Sequence, residues 1–141
     1  MIDIGRKITV VLLIIWWGAF TFYAGIVVPI GMRVLGSHTK MGFITQAVTN
    51  YLNYFSIIIF VGTAFQYRTQ KKLFGLSILL IFLQITLFIL HFKLNLFLDF
   101  QLFIVKSKAS FYLFHRIYLL ISTLIWLLLS TIILVEVKNN N

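Results

Sequence analysis

Four runs of apolar residues, roughly 8–30, 41–65, 73–97 and 111–137, dominate this chain of 141 residues. Each is long enough to cross a hydrocarbon core of about 30 Å, which takes about 20 residues of α-helix. No charged stripe runs through the middle of any of them, so helices lying flat on a membrane surface do not fit the pattern. The expected fold is therefore all-α, an integral membrane bundle of four transmembrane helices forming a single domain over 1–141. Composition points the same way, with 61% hydrophobic and 11% charged residues against about 25% charged in an ordinary soluble domain. Too few polar side chains are present to coat a soluble globule, and the lipid bilayer is the expected partner of most of the surface.

The absence of cysteine excludes disulfides, thiolate-bound zinc, iron–sulfur clusters, a cysteine nucleophile and covalent haem attachment. Asp3, Asp99 and Glu136 are the only carboxylates, which leaves no basis for a carboxylate-rich metal site or a two-carboxylate hydrolase site. The net charge of +9 is scattered between apolar runs and forms no continuous patch, so no nucleic acid partner is expected and anionic lipid headgroups are favoured. The first run resembles a signal peptide but lacks a small-x-small cleavage site, so a retained helix is expected.

GMRVLGSHTK, QYRTQKK and DFQLFIVKSKAS read as the three connections, and VEVKNNN as a frayed polar tail. The LFIV stretch of the third connection predicts a segment along the membrane interface, a short helix or a re-entrant turn. Pro29 falls where it would end or bend the first helix without breaking its centre. Arg6, Lys7, Arg68, Lys71, Lys72 and Lys138 share one face; Arg33, Lys40, Lys93, Lys106, Lys108 and Arg116 share the other. The compact positive charge of QYRTQKK favours both termini on the cytoplasmic side.

Polar side chains within the spans are the most informative feature, because in hydrocarbon they are retained only where they meet a partner helix or a cavity. Gln46, Asn50 and Asn53 recur on one face of the second helix; Gln84, His91 and Asn95 on one face of the third; Tyr112, His115, Ser122 and Trp126 on the fourth. Gly18, Thr21 and Gly25 form a small-residue face on the first helix, suited to close approach of a neighbour. At 1.5 Å per residue, His115 lies about 6 Å inside its helix, His91 about 9 Å and Asn50 about 14 Å. With His38 just before the second helix, all three histidines fall at one end of the bundle. A polar funnel results, bracketed by Asp99 and Arg116 and floored by Asn50, Asn53 and Gln84.

Such a funnel admits several uses. His91, His115 and His38 are candidate metal or haem ligands, with Asp99 orienting a ring nitrogen. Alternatively a quinone headgroup can be held by His, Tyr or Ser donors near an aromatic wall supplied by Tyr112, Tyr118, Trp126 and the Phe-rich third helix; His91, His115, Asn50, Asn53, Gln84 and Tyr112 are the candidate cofactor-binding residues. The same residues can equally be structural, bonding one helix to the next. No phosphate loop, nucleophile elbow, zinc-protease helix or dinucleotide fingerprint occurs, and no activated nucleophile or acid–base pair can be named. The leading expectation is a membrane protein without catalytic chemistry, acting as a structural or accessory subunit, in a homo-oligomer or a larger membrane complex. The alternative is a metal-, haem- or quinone-binding membrane protein that uses the His91/His115 funnel.

Trp17-Gly18, Phe20, Phe22 to Gly25 and Pro29, then GSHTKMGFITQAVTNYLN, then Phe111, His115-Arg116, Tyr118, Ser122, Thr123 and Trp126 carry a resemblance. The pattern resembles small four-helix bacterial membrane proteins of unknown function, related to the transmembrane protein 205 type and more distantly to CopD-like copper-resistance proteins. It covers most of the chain through loose, apolar-rich motifs. The resemblance implies a four-helix bundle in a bacterial inner membrane and no defined activity. Copper handling would follow from the distant relatives only, and this chain, with three Met and no Cys, lacks the thiolates that suit Cu(I).

Overall fold

The computed structural model describes residues 4–139, so Met1 to Asp3, Asn140 and Asn141 lie outside it. The first span is a continuous helical rod in three parts: α1 (Ile4–Phe22), a single wide π-helical turn (Tyr23–Val27) and α2 (Val28–Leu35). It is followed by α3 (His38–Gln66), α4 (Lys71–Leu96), a small hairpin of β1 (Leu98–Asp99) and β2 (Ile104–Val105), and α5 (Lys108–Asn139). The first rod and helices α3, α4 and α5 are each long and apolar enough to cross a membrane. The molecule is an all-α bundle of four such helices, as the sequence predicts.

The π turn has a local cause. Proline at position 29 has no N–H, and its ring crowds the carbonyl four residues earlier, at Gly25. Widening the helix over Tyr23–Val27, with the Val28 N–H bonded to the Tyr23 carbonyl, carries the rod past that point without a break. The rod then runs on to Leu35. The ten-residue connection expected there shrinks to Gly36, left-handed at φ 58°, and Ser37, whose hydroxyl accepts from the Lys40 N–H at 3.2 Å and caps α3.

The third connection is neither a short helix nor a re-entrant turn. Leu98 pairs with Val105 and Asp99 with Ile104 in an antiparallel hairpin. Asp99 Oδ1 accepts from the N–H groups of Gln101 and Leu102, both at 3.0 Å, closing the turn. The Leu102 bond, then that from Gln101 and the charge of Lys106, hold the Asp99 carboxyl below its ordinary range. The carboxylate is thus engaged by its own turn rather than orienting a histidine. Phe100 and Phe103 at the tip both pack edge-on to Phe43 of α3, with ring centroids 5.3 and 5.4 Å away, which seats the hairpin over the bundle.

Along each of three helices a seam of buried residues runs in alternating steps of three and four. Gln46, Thr49, Asn53, Ser56, Phe60 and Thr63 lie on α3; Leu73, Ser77, Leu80, Gln84, Leu87, His91 and Leu94 on α4; Tyr118, Ser122, Ile125, Leu129, Ile132 and Glu136 on α5. This is the seam spacing of left-handed helix packing. Helix α4 packs between α3 and α5, and α1 lies across the other side of the same two helices.

Of α1, only Leu13 and Trp16 are buried, and directed bonds fasten it. Trp16 Nε1 donates to the Leu52 carbonyl at 3.2 Å, Trp17 Nε1 to Ser130 Oγ at 2.8 Å, and Trp126 Nε1 to Thr21 Oγ1 at 2.8 Å. Trp17 and Trp126 also stack, with centroids 5.5 Å apart. At the far end Arg6 clasps Glu136, Nε to Oε2 at 2.6 Å and Nη2 to Oε1 at 3.2 Å. Tyr67 is buried beside this pair, and burial, with the Glu136 carboxylate adding to it, pushes its phenol well above the ordinary range.

Two expectations change here. The stretch from Val135 to Asn139 is not a frayed tail: α5 continues through it, because Glu136 falls in phase with the buried seam and meets a guanidinium there. Nor do Gly18 and Gly25 mark a close approach within the chain. A Cβ built on either meets nothing within 4 Å, and the tight contact is at Gly31, where a Cβ would run into the thioether of Met41. Thr21, between those glycines, does face α5 through Trp126.

Candidate binding cavity

Beyond the π turn the rod leaves α5. Helix α2 packs on α3, whereas contact with α5 is made by α1. The space opened between them is a cavity of about 450 Å³, within the roughly 300–1,000 Å³ usual for ligand sites. Phe20, Tyr23, Ala24, Val28 and Met32 form the wall on the first rod; His38, Met41, Gly42, Thr45, Gln46 and Thr49 the wall on α3. Phe111, Tyr112, His115, Tyr118, Leu119 and Ser122 form the wall on α5, with Leu98 and Val105 of the hairpin as the roof.

The lining is chiefly aromatic and aliphatic, with a few polar groups held in place. The Tyr23 hydroxyl donates to Thr45 Oγ1 at 3.3 Å, tying the π turn to α3. Gln46 Nε2 donates to the His91 carbonyl at 3.1 Å and to Asn95 Oδ1 at 3.0 Å. Since a backbone carbonyl can only accept, this pair fixes which end of the amide is nitrogen. His115 stacks flat on Phe111, centroids 5.7 Å apart and planes 8° from parallel. Among the described residues no carboxylate, lysine or arginine lines the cavity.

The sequence-predicted residues divide between this cavity and the core behind it. His38, Tyr112 and His115 line the cavity. His91, Asn53 and Gln84 are buried in the bundle instead. Gln84 Nε2 donates to Asn53 Oδ1 at 3.0 Å, and Asn53 exchanges bonds with the Tyr118 hydroxyl at 3.1 and 3.2 Å, so the amide pair and the phenol join α3, α4 and α5. The His91 ring lies beside Tyr118, centroids 6.3 Å apart, and among the described residues its Nδ1 has no hydrogen-bond partner. Asn50 is half-buried on α3 and belongs to neither group. Among the described residues no three His, Asp or Glu side chains gather where a metal ion could be held, so His38, His91 and His115 do not form a ligand cluster.

Tyr23, Thr45, Gln46 and Gly42 are cavity residues that a search for site residues in the sequence passes over. Gln46 was legible as part of a polar stripe, but its place in the wall depends on the divergence of α2 from α5. The signal for that divergence is Gly25 four residues before Pro29.

The fold defines a multi-pass membrane protein, and the cavity lies at the hairpin end of its four-helix bundle. Comparison of the chain with protein families, with curated proteins and with solved structures finds no match.

Proposed function

We propose that this chain is a binding protein of the membrane, holding a small, mainly apolar molecule with an uncharged polar head in the cavity between the first rod, α3 and α5. The observation that carries this reading is the cavity itself, walled by fixed aromatic rings and reached past His38 and Thr39 at the start of α3. Binding is favoured over catalysis because the lining offers imidazoles, hydroxyls and an amide but no carboxylate to pair with them as acid and base. The role fits an accessory subunit, as a homo-oligomer or in a larger membrane complex, in which the cavity presents or stores its occupant. The Tyr67–Lys72 charge cluster supports cytoplasmic termini, which puts the cavity at the opposite face, and the family resemblance supports a bacterial inner membrane.

Gly42 provides the test. It lines the cavity, and a Cβ built on it meets no atom within 4 Å. Gly42→Phe should therefore start from an unobstructed Cβ and place its ring in this space, and phenylalanine has a higher helix propensity than the glycine it replaces. Native mass spectrometry of protein purified in mild detergent is expected to show a bound small molecule on the wild type and none on the variant, with equal or higher thermal stability. The same adduct on both proteins, or none on either, would overturn the proposal.

A further inference from the structure

The cavity wall contains more information about its occupant than size. Six rings face it, from Phe20, Tyr23, Phe111, Tyr112, His115 and Tyr118. The Phe111 and His115 rings lie parallel on one wall, an array that a further planar ring can extend, since aromatic systems stack in offset parallel planes. Two polar groups of the lining have hydrogen-bonding capacity left over. The Gln46 nitrogen is engaged twice, while among the described residues its Oε1 has no donor. His115 makes no hydrogen bond among the described residues, and a neutral imidazole offers one donor and one acceptor.

These two groups lie at similar depth. Gln46 is eight residues into α3 and His115 seven into α5, about 12 and 11 Å from their helix starts at 1.5 Å per residue. Both starts are at the hairpin end of the bundle, and both residues line the cavity, Gln46 from α3 and His115 from α5. The absence of charged side chains in the wall disfavours phosphate or carboxylate heads. The occupant's tail has a route as well. Where the first rod and α5 are apart, Ala24 of the π turn and Leu119 of α5 are both cavity-lining and exposed, which leaves a lateral route for an apolar tail.

We infer that the cavity takes a quinol-class ligand, an aromatic ring with hydroxyl groups at its two ends and an apolar tail leaving between the first rod and α5. One ring hydroxyl donates to Gln46 Oε1 and the other bonds the His115 imidazole. The fixed amide gives the site a preference: a hydroxyl can donate to Oε1, whereas a quinone carbonyl meets it as acceptor against acceptor. The reduced ring therefore binds more tightly than the oxidised one. This rests on the cavity-binding reading above, and it makes a narrower claim.

Calorimetric titration of delipidated protein in detergent tests it, using a benzoquinone with one isoprenoid unit in oxidised and reduced forms, and oleate as a carboxylate amphiphile. The quinol is expected to bind at least tenfold more tightly than the quinone, and oleate to show no saturable binding. Gln46→Leu should bring quinol and quinone within about twofold of one another. His115→Phe, which keeps the stacked ring and breaks no bond within the protein, should weaken the quinol about tenfold, so the inference does not hang on the folding of the Gln46 variant. Equal binding of quinol and quinone by the wild type would overturn the inference. Saturable oleate binding without quinol binding would overturn it too, and would overturn the uncharged head of the reading above while leaving a cavity that binds an amphiphile. If no probe binds, the quinol inference falls and the cavity-binding reading is decided by the Gly42→Phe comparison.

Discussion

Arg6→Ala is expected to destabilise the protein by about 3 kcal/mol, the low end of the range for breaking a buried ion pair. The Glu136 side chain is fully buried, and the substitution removes the guanidinium that neutralises it, while Arg6 itself is 24% exposed, which keeps the effect from being larger. A charge left in a low-dielectric interior is the dominant penalty, more than the loss of the two hydrogen bonds. The double variant Arg6→Met, Glu136→Met should accordingly recover most of the loss, because it removes both charges and leaves apolar groups of similar length. Reversible unfolding in mixed detergent micelles measures the wild type and the two variants side by side. A double variant as unstable as the single one would show that the pair matters for something other than charge compensation.

Asn53→Leu should cost on the order of 2 kcal/mol, the penalty of leaving buried polar partners unsatisfied. The amide sits where α3, α4 and α5 meet, and its removal deprives both Gln84 Nε2 and the Tyr118 hydroxyl of a partner. Interhelical hydrogen bonds in membranes contribute only about 0.6 kcal/mol on average, so a larger effect here reflects the network rather than one bond. Asn50→Leu, one turn away and half-buried, is expected to change stability by less than about 0.5 kcal/mol. A double-mutant cycle of Asn53→Leu with Gln84→Leu should return a coupling of roughly 1 kcal/mol. Additive effects in that cycle would deny the network.

The spans were legible because apolar runs of this length have one stable arrangement in lipid, and the polar stripes because a period of three and four survives in the sequence. Helix ends were less so. Arg33, His38 and Lys138 read as connection or tail, yet all three continue helices, since a helix does not stop where the hydrocarbon does. Which polar residues meet is a matter of rotation and axial offset between helices. Counting residues puts His91 and His115 at similar depth, but only the packed bundle shows that Gln46 and Tyr118 adjoin His91 while His115 turns to the cavity. Glu136 was legible in retrospect, in phase with Ser122, Ile125, Leu129 and Ile132. The cavity was not, because it follows from a single widened turn whose only trace is the spacing of Gly25 and Pro29.

The account stands or falls on a four-span bundle whose cavity opens at the hairpin end, and since the chain contains no cysteine, single introduced thiols can test both parts together. Gly42→Cys lies in the cavity wall, Lys106→Cys beside the hairpin, and Thr69→Cys in the turn between α3 and α4. A membrane-impermeant thiol reagent applied to one side of sealed vesicles should label Gly42→Cys and Lys106→Cys from the same side, and Thr69→Cys only from the other. Labelling of Thr69→Cys and Lys106→Cys from one side would contradict the four-span bundle, and labelling of Gly42→Cys from the Thr69 side would contradict the placement of the cavity.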